Sequence, residues 1–204
     1  MSSWFDAKLF GEAFITLFVI MDPPGTVPIF LALTGGRSQR TRRRLALQAA
    51  TVSLCVIAVF AVFGQQILDY LGISLPALQG AGGLLLLLIA LELLTGNADD
   101  PTETADVNVA LVPLGTPLLA GPGAIVASIL FVRREHGGAD ILALVAAVLA
   151  IHVVLWMAMR FSVGVIRVIK ESGVTLVTRI AGLLLSAIAV QMVADAVRAF
   201  IKAG

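Results

Sequence analysis

Six stretches of the chain are apolar for the length of a membrane crossing, with polar residues and turn formers between them. They run over Phe10–Leu33, Leu45–Leu68, Pro76–Leu94, Val109–Phe131, Ile141–Phe161 and Leu176–Phe200. A hydrocarbon core of about 30 Å takes roughly 20 helical residues to cross, so each stretch is long enough. Gly35-Gly36-Arg37, Asp69 with Gly72, Asn97–Pro101, Arg133–Asp140 and Lys170–Gly173 close them off. Pro76 suits the first turn of its helix, where its missing N–H is not needed. Between the last two stretches, Ser162–Lys170 sets Arg167 and Lys170 among Val163, Val165, Ile166 and Ile169. That is the pattern of a helix lying along the interface. The pattern predicts an all-α polytopic membrane protein, with about six transmembrane helices in one transmembrane domain.

Composition points the same way. The 204 residues are 59% hydrophobic and 13% charged, with a mean hydropathy of +1.00. Soluble domains carry about 25% charged residues, and a soluble chain this short would leave much of its apolar surface in water. A net charge of +1 gives no reason to expect a nucleic-acid partner. The single cysteine, Cys55, excludes a disulfide within the chain and reads as a small buried hydrophobe. The N-terminal residues lack the basic region and cleavage site of a removable signal peptide, so the chain is expected to enter its first span directly.

Lysine and arginine set the expected orientation. One side carries Arg37, Arg40, Arg42, Arg43 and Arg44 in the first loop, with Arg160, Arg167, Lys170 and Arg179; the other carries Lys8, Arg133, Arg134, Arg198 and Lys202. The positive-inside rule places the richer side in the cytoplasm and both termini outside it. The expected location is the bacterial inner (plasma) membrane.

The chain also repeats itself. The first stretch is interrupted by Asp22-Pro23-Pro24-Gly25-Thr26-Val27-Pro28, and the fourth by Pro113 to Gly123, which contains Thr116, Pro117, Gly121 and Pro122. Pro24-Gly25 and Pro122-Gly123 lie 98 residues apart, and Gly83-Leu84-Leu85-Leu86 precedes Gly182-Leu183-Leu184-Leu185 by 99. The same register pairs Ile89 with Ile188, Ala90 with Ala189 and Glu92 with Gln191. Three spans per half bring the second copy in from the opposite side. The expectation is therefore two inverted three-helix repeats, residues 1–97 and 98–204, with the first and fourth helices broken mid-membrane.

Broken helices carry chemistry. Proline inside a helix removes a hydrogen bond at a cost of roughly 3 kcal/mol, and backbone groups freed at membrane depth must line protein or a polar cavity. A helix restarting after Pro24-Gly25 or Pro122-Gly123 aims N–H groups and a positive dipole end at a carboxylate. The carbonyls that end the preceding half suit an ammonium group or a cation. The candidate substrate-binding residues are Asp22, Pro24, Gly25, Thr26, Thr116, Gly121, Pro122 and Gly123. Packing kinks are the plain alternative, and one kink alone would favour it. Asp22 is expensive inside a membrane, roughly 2.5–3.5 kcal/mol on insertion scales. It reads as a proton-coupling group, as a partner for a substrate amine, or as the cap of a half-helix starting at Pro23. Glu92 is a second coupling candidate, with a snorkelling surface carboxylate as its plain reading.

The other polar residues read more simply. Asp195 and Arg198 are spaced as a local pair. His152 reads as a neutral side chain bonded to a neighbouring helix, with a proton relay as the minority reading. Gly80, Gly82, Gly83, Ala181 and Gly182 let helices approach closely. The arginine-rich loop reads as a topology signal, with anionic-lipid contact as a by-product. No phosphate loop, metal spacing or nucleophile–base pair stands out, so neither an enzyme nor a cofactor is expected.

Asp22-Pro23-Pro24-Gly25-Thr26-Val27-Pro28-Ile29-Phe30 and Pro113-Leu114-Gly115-Thr116-Pro117-Leu118-Leu119-Ala120-Gly121-Pro122-Gly123-Ala124-Ile125 resemble the MarC family of membrane proteins over essentially the whole chain. Pro24 departs from the family's pattern, which has a small aliphatic residue there. The resemblance implies paired inverted repeats and transport of small neutral amino acids such as glycine and alanine, with protons or a monovalent cation as the coupling partner. An exporter of another small metabolite or drug-like solute, a channel, and a non-transporting membrane subunit are the alternatives.

Overall fold

The computed structural model describes residues 5–34, 36–95, 119–133 and 137–203. Among these, all regular structure is helical: α1 Ala7–Met21, α2 Pro23–Leu33, α3 Gln39–Leu71, α4 Leu75–Thr95, α5 Pro122–Arg133, α6 Gly138–Arg160 and α7 Ser162–Ala203. Five stretches are long and apolar enough to cross a membrane: Ala7–Leu31, which takes in α1 and most of α2, then Gln39–Leu71, Leu75–Thr95, Gly138–Arg160 and Ser172–Lys202. The fourth expected span is represented by α5 alone, because residues 109–118 lie outside the described residues. At 1.5 Å per residue α5 rises about 18 Å, short of a full crossing.

Only 22% to 44% of each spanning window is buried within the protein. The remainder is apolar, as with Leu84, Leu87, Leu88 and Leu91 on α4, and lipid is the solvent that suits it. Cys55 belongs to this outward surface. The expectation that it is buried is corrected: it points away from the stripe of Ala46, Ala49, Ala50, Ser53 and Ile57 that α3 turns inward.

Local signals set the helix ends. Asp6 caps α1 by accepting from the Lys8 and Leu9 N–H groups at 2.9 Å. Ser38 caps α3 by accepting from Thr41 N–H at 3.2 Å, and Gly72 closes it in the left-handed region at φ 66°. Arg40, Arg42, Arg43 and Arg44, read from sequence as loop, therefore ride on the first turns of a 33-residue helix. Such a helix rises about 50 Å, so its basic turns stand beyond the hydrocarbon. In α7 the backbone leaves helical geometry at Lys170 (φ 60°, ψ 165°). That kink separates the amphipathic Ser162–Lys170 stretch from the span that follows.

Helix α4 packs along α7 more extensively than any other pair among the described residues, while α6 is packed against α1, α2 and α3. On α6 the buried residues Ala143, Ala147, Ile151, Leu155 and Met159 recur every four positions, which builds one inward stripe. Where α3 meets α6, the Ser53 hydroxyl lies 3.2 Å from His152 Nε2, and the two residues are 99 apart in sequence. His152 Nδ1 lies 2.7 Å from the Val148 carbonyl. A carbonyl only accepts, so Nδ1 carries the hydrogen and, in a neutral ring, Nε2 accepts from Ser53. The bond to a neighbouring helix is the one that the sequence favours.

Glycines let α4 and α7 approach backbone to backbone. A Cβ added to Gly83 would stand 2.9 Å from Ala189 O and 3.1 Å from Val193 N, and one added to Gly182 would stand 3.3 Å from Ala90 O and 3.3 Å from Leu94 Cγ. Gly82 turns to α5 instead, where an added Cβ would stand 2.9 Å from Val126 Cγ2. The small residues thus pack helix against helix.

Candidate functional site

Helices α1 and α2 meet at Asp22, whose backbone sits at φ 39°, ψ 69°. A non-glycine residue in the left-handed region is uncommon and marks a site held by its surroundings. Its amide donates to Phe18 O at 3.1 Å, and its carbonyl accepts from Thr26 N–H at 2.9 Å. The Thr26 hydroxyl also donates to that carbonyl at 2.9 Å. Thr26 therefore satisfies backbone at the break.

The Asp22 side chain is different. The residue is 7% exposed, and among the described residues neither carboxylate oxygen has a hydrogen-bond partner. The carboxyl group lies over Gly25, where an added Cβ would stand 2.8 Å from Asp22 Cγ and 3.2 Å from Thr178 Oγ1. Gly25 N–H and the Thr178 hydroxyl face the carboxylate at a geometry short of a full hydrogen bond, and among the described residues Thr178 Oγ1 is itself buried without a partner. Asp22 thus stands where a cap of α2 would stand without making the capping bond. Buried polar atoms are nearly always paired, which makes Asp22 the candidate that its membrane position suggested.

The group borders a cavity of about 340 Å³, which Asp22 shares with Gly25, Thr26, Glu92, Thr178 and Arg179 and with apolar residues that include Ile89 and Val174. Among the described residues no ion pair joins these charges; the ion pairs lie elsewhere, Lys8 with Glu12 and Arg198 with Asp195. Glu92 is exposed near the end of α4, as its surface reading has it, and it also lines the cavity that holds Asp22. The two coupling candidates are thereby brought together.

The start of α5 is built otherwise. The Gly121 carbonyl accepts from Ala124 N–H at 3.0 Å and Ile125 N–H at 3.1 Å, so α5 starts at Pro122. Proline in the first helical position is well placed. Gly123 is buried, and a Cβ added there would stand 2.8 Å from Leu86 Cγ and 3.4 Å from Ile20 Cγ2. It admits Leu86 of α4. Pro24 precedes Gly25 in the first turn of α2 and is half-buried. Thr116 lies outside the described residues.

Sequence reasoning did not connect Thr178 and Arg179 with Asp22. They are far away along the chain, and only the packing of α2 against α7 brings them near. The available signal was a threonine and an arginine within an apolar stretch.

A second cavity, of about 360 Å³, lies elsewhere on α4 and α7 and is lined by Thr16, Gln79, Ile188, Gln191, Met192 and Asp195, among others. A third, of about 200 Å³, gathers Arg42, Arg43, Arg160 and Arg167. The start of α3, the end of α6 and the start of α7 therefore meet at one end of the bundle. At the opposite end Arg133 bonds Gln65, joining the ends of α5 and α3.

Residues 7–201 match the profile described as "MarC family integral membrane protein". The chain belongs to the MarC family. A UPF0056 membrane protein of Methanocaldococcus jannaschii is 34% identical over 200 residues, covering 95% of this chain and 98% of its own. One from Archaeoglobus fulgidus is 34% identical over 195 residues, 92% of either chain. The UPF0056 membrane protein YhcE of Escherichia coli is 30% identical over 207 residues, 97% of this chain and 96% of its own. No solved structure matches significantly. MarC membership and the apolar helices make the protein an integral, multi-pass membrane protein.

Proposed function

We propose that this MarC-family protein is a secondary transporter of small neutral amino acids such as glycine and alanine, driven by protons or a monovalent cation. The observation that carries this is the Asp22 carboxylate, unpartnered among the described residues, beside its cavity. A carboxylate at a helix break answers an ammonium group, and Arg179 with the Gly25 N–H answers a carboxylate. A cavity of about 340 Å³ has room for a small amino acid together with water.

Transport by alternating access needs two halves that exchange roles. The contacts between α4 and α7 support an inverted repeat. Gly83 stands against Ala189 and Val193, and Gly182 against Ala90 and Leu94. Moving each residue of the first set by 99 positions gives the second. Such reciprocity is what a two-fold relation produces, with i touching j and j's counterpart touching i's. A residue on the axis touches its own counterpart, as Ser53 does His152 at a separation of 99. In this reading the arginine-rich end is cytoplasmic and the termini are outside, in a plasma or inner membrane.

Counterflow tests the carrier against a channel. Proteoliposomes preloaded with unlabelled alanine should accumulate labelled glycine transiently above its external concentration. Equilibration without overshoot, from protein shown to be folded, would indicate a channel and sink the carrier reading.

A further inference from the structure

We propose that the second cavity is a water-filled vestibule facing the opposite side of the membrane from the Asp22 cavity, and that it is that cavity's counterpart in the other repeat. The proposal rests on the inverted-repeat reading given above and goes beyond it by assigning a new place to the solute's path. Its lining carries the case. The Asp22 cavity uses Ile89, Glu92, Leu93 and Thr178. At the repeat offset of 99 their counterparts are Ile188, Gln191, Met192 and Gln79, and all four line the second cavity. Ile29 of the first cavity has Ala127 of the second at the offset of 98 that relates the two Pro-Gly pairs. The volumes agree as well, about 340 Å³ and about 360 Å³.

The positions oppose each other. Helices α4 and α7 run antiparallel, since Gly80 meets Ala196 while Gly182 meets Leu93 and Leu94. The Asp22 cavity takes the end of α4 and the start of the α7 span, through Glu92 and Val174–Arg179. The second cavity takes the start of α4 and the far part of α7, through Gln79 and Asp195. The first therefore lies toward the arginine-rich end, and the second toward the end that holds Arg133.

The chemistry of the two differs in one respect. Asp22 and Glu92 correspond to Ala120 and Gln191, so the unpaired carboxylates belong to one cavity only. In the second, Asp195 accepts from Gln191 Nε2 at 2.9 Å and pairs with Arg198 at 3.5 Å. What remains is a mostly apolar wall that includes Leu130, Phe131 and Ile188, with the amides of Gln79 and Gln191 and the hydroxyl of Thr16 set into it. It suits a small uncharged or zwitterionic solute that passes without exchanging a proton there.

Cysteine accessibility tests this without any substrate. In a Cys55→Ser background, Glu92→Cys and Thr178→Cys report the first cavity, and Gln191→Cys and Gln79→Cys the second. Each is exposed to a membrane-impermeant thiol reagent in right-side-out and in inside-out vesicles. The proposal predicts that the first two react from one face and the last two from the other, at least tenfold faster than across the membrane. Reaction of all four from the same face overturns it. So does silence of both Gln79→Cys and Gln191→Cys in protein that stays monodisperse, because a lipid-filled crevice admits no charged reagent. Two-sided labelling in protein that carries no glycine would count against the substrate reading alone.

Discussion

Asp22→Asn is expected to lower uptake driven by an imposed pH gradient by tenfold or more, while solute exchange, which keeps the Arg179 and Gly25 N–H contacts to the substrate carboxylate, falls less. Asparagine matches the shape of aspartate and fits the same buried place over Gly25, so the break between α1 and α2 should persist. What disappears is a group that can take up and release a proton. The nearby charges are Glu92 on α4 and Arg179 on α7, which share its cavity without pairing to it. A carboxylate with no partner on either oxygen among the described residues can answer a proton or a substrate ammonium in turn. Were Asp22 only a cap, its replacement would shift thermal stability and leave the pH profile of transport alone. Unchanged pH dependence in the mutant would therefore remove Asp22 from the coupling mechanism.

Gly83→Leu and Gly182→Leu should each destabilise the protein strongly and by similar amounts. The obstacles on the far side are the backbone of Ala189 and Val193 for Gly83, and of Ala90 with the Leu93 and Leu94 side chains for Gly182. Backbone cannot step aside as a side-chain tip can, so the cost falls at the upper end of overpacking, on the order of 3 kcal/mol. Thermal unfolding in detergent reads it. Gly80→Ala is the control, because its added Cβ would lie 3.4 Å from Ala196 Cβ, close to ordinary contact. A large loss at Gly83 with none at Gly182 would break the reciprocity on which the two-fold reading rests.

Much of the fold was legible because lipid imposes a simple rule on sequence: about 20 apolar residues make a crossing. Four spans fall close to their expected limits for that reason. The exception in α3 is instructive. Hydropathy ends that span at Leu45, whereas the helix begins at Gln39, because arginine is a good helix former and Ser38 supplies a cap. Hydropathy measures where lipid ends, and capping measures where a helix ends.

The site was legible in part. Asp22 announced itself as an acid between an apolar stretch and two prolines. Its companions Thr178 and Arg179 did not, since no local pattern ties residues so distant along the chain. Gly25 and Gly123 look alike in sequence, yet one leaves space for a carboxylate and the other for Leu86. A glycine shows that something approaches closely and is silent on what does. The second cavity draws its lining from α1, α4, α5 and α7, and no local pattern joins such distant residues.

Uptake of labelled glycine and alanine into proteoliposomes, with and without an imposed pH gradient, tests the central claim most directly. The account predicts saturable uptake, competed by other small neutral amino acids and stimulated by the gradient or by a monovalent-cation gradient in its place. Folded, correctly inserted protein that moves neither amino acid under any gradient would contradict it.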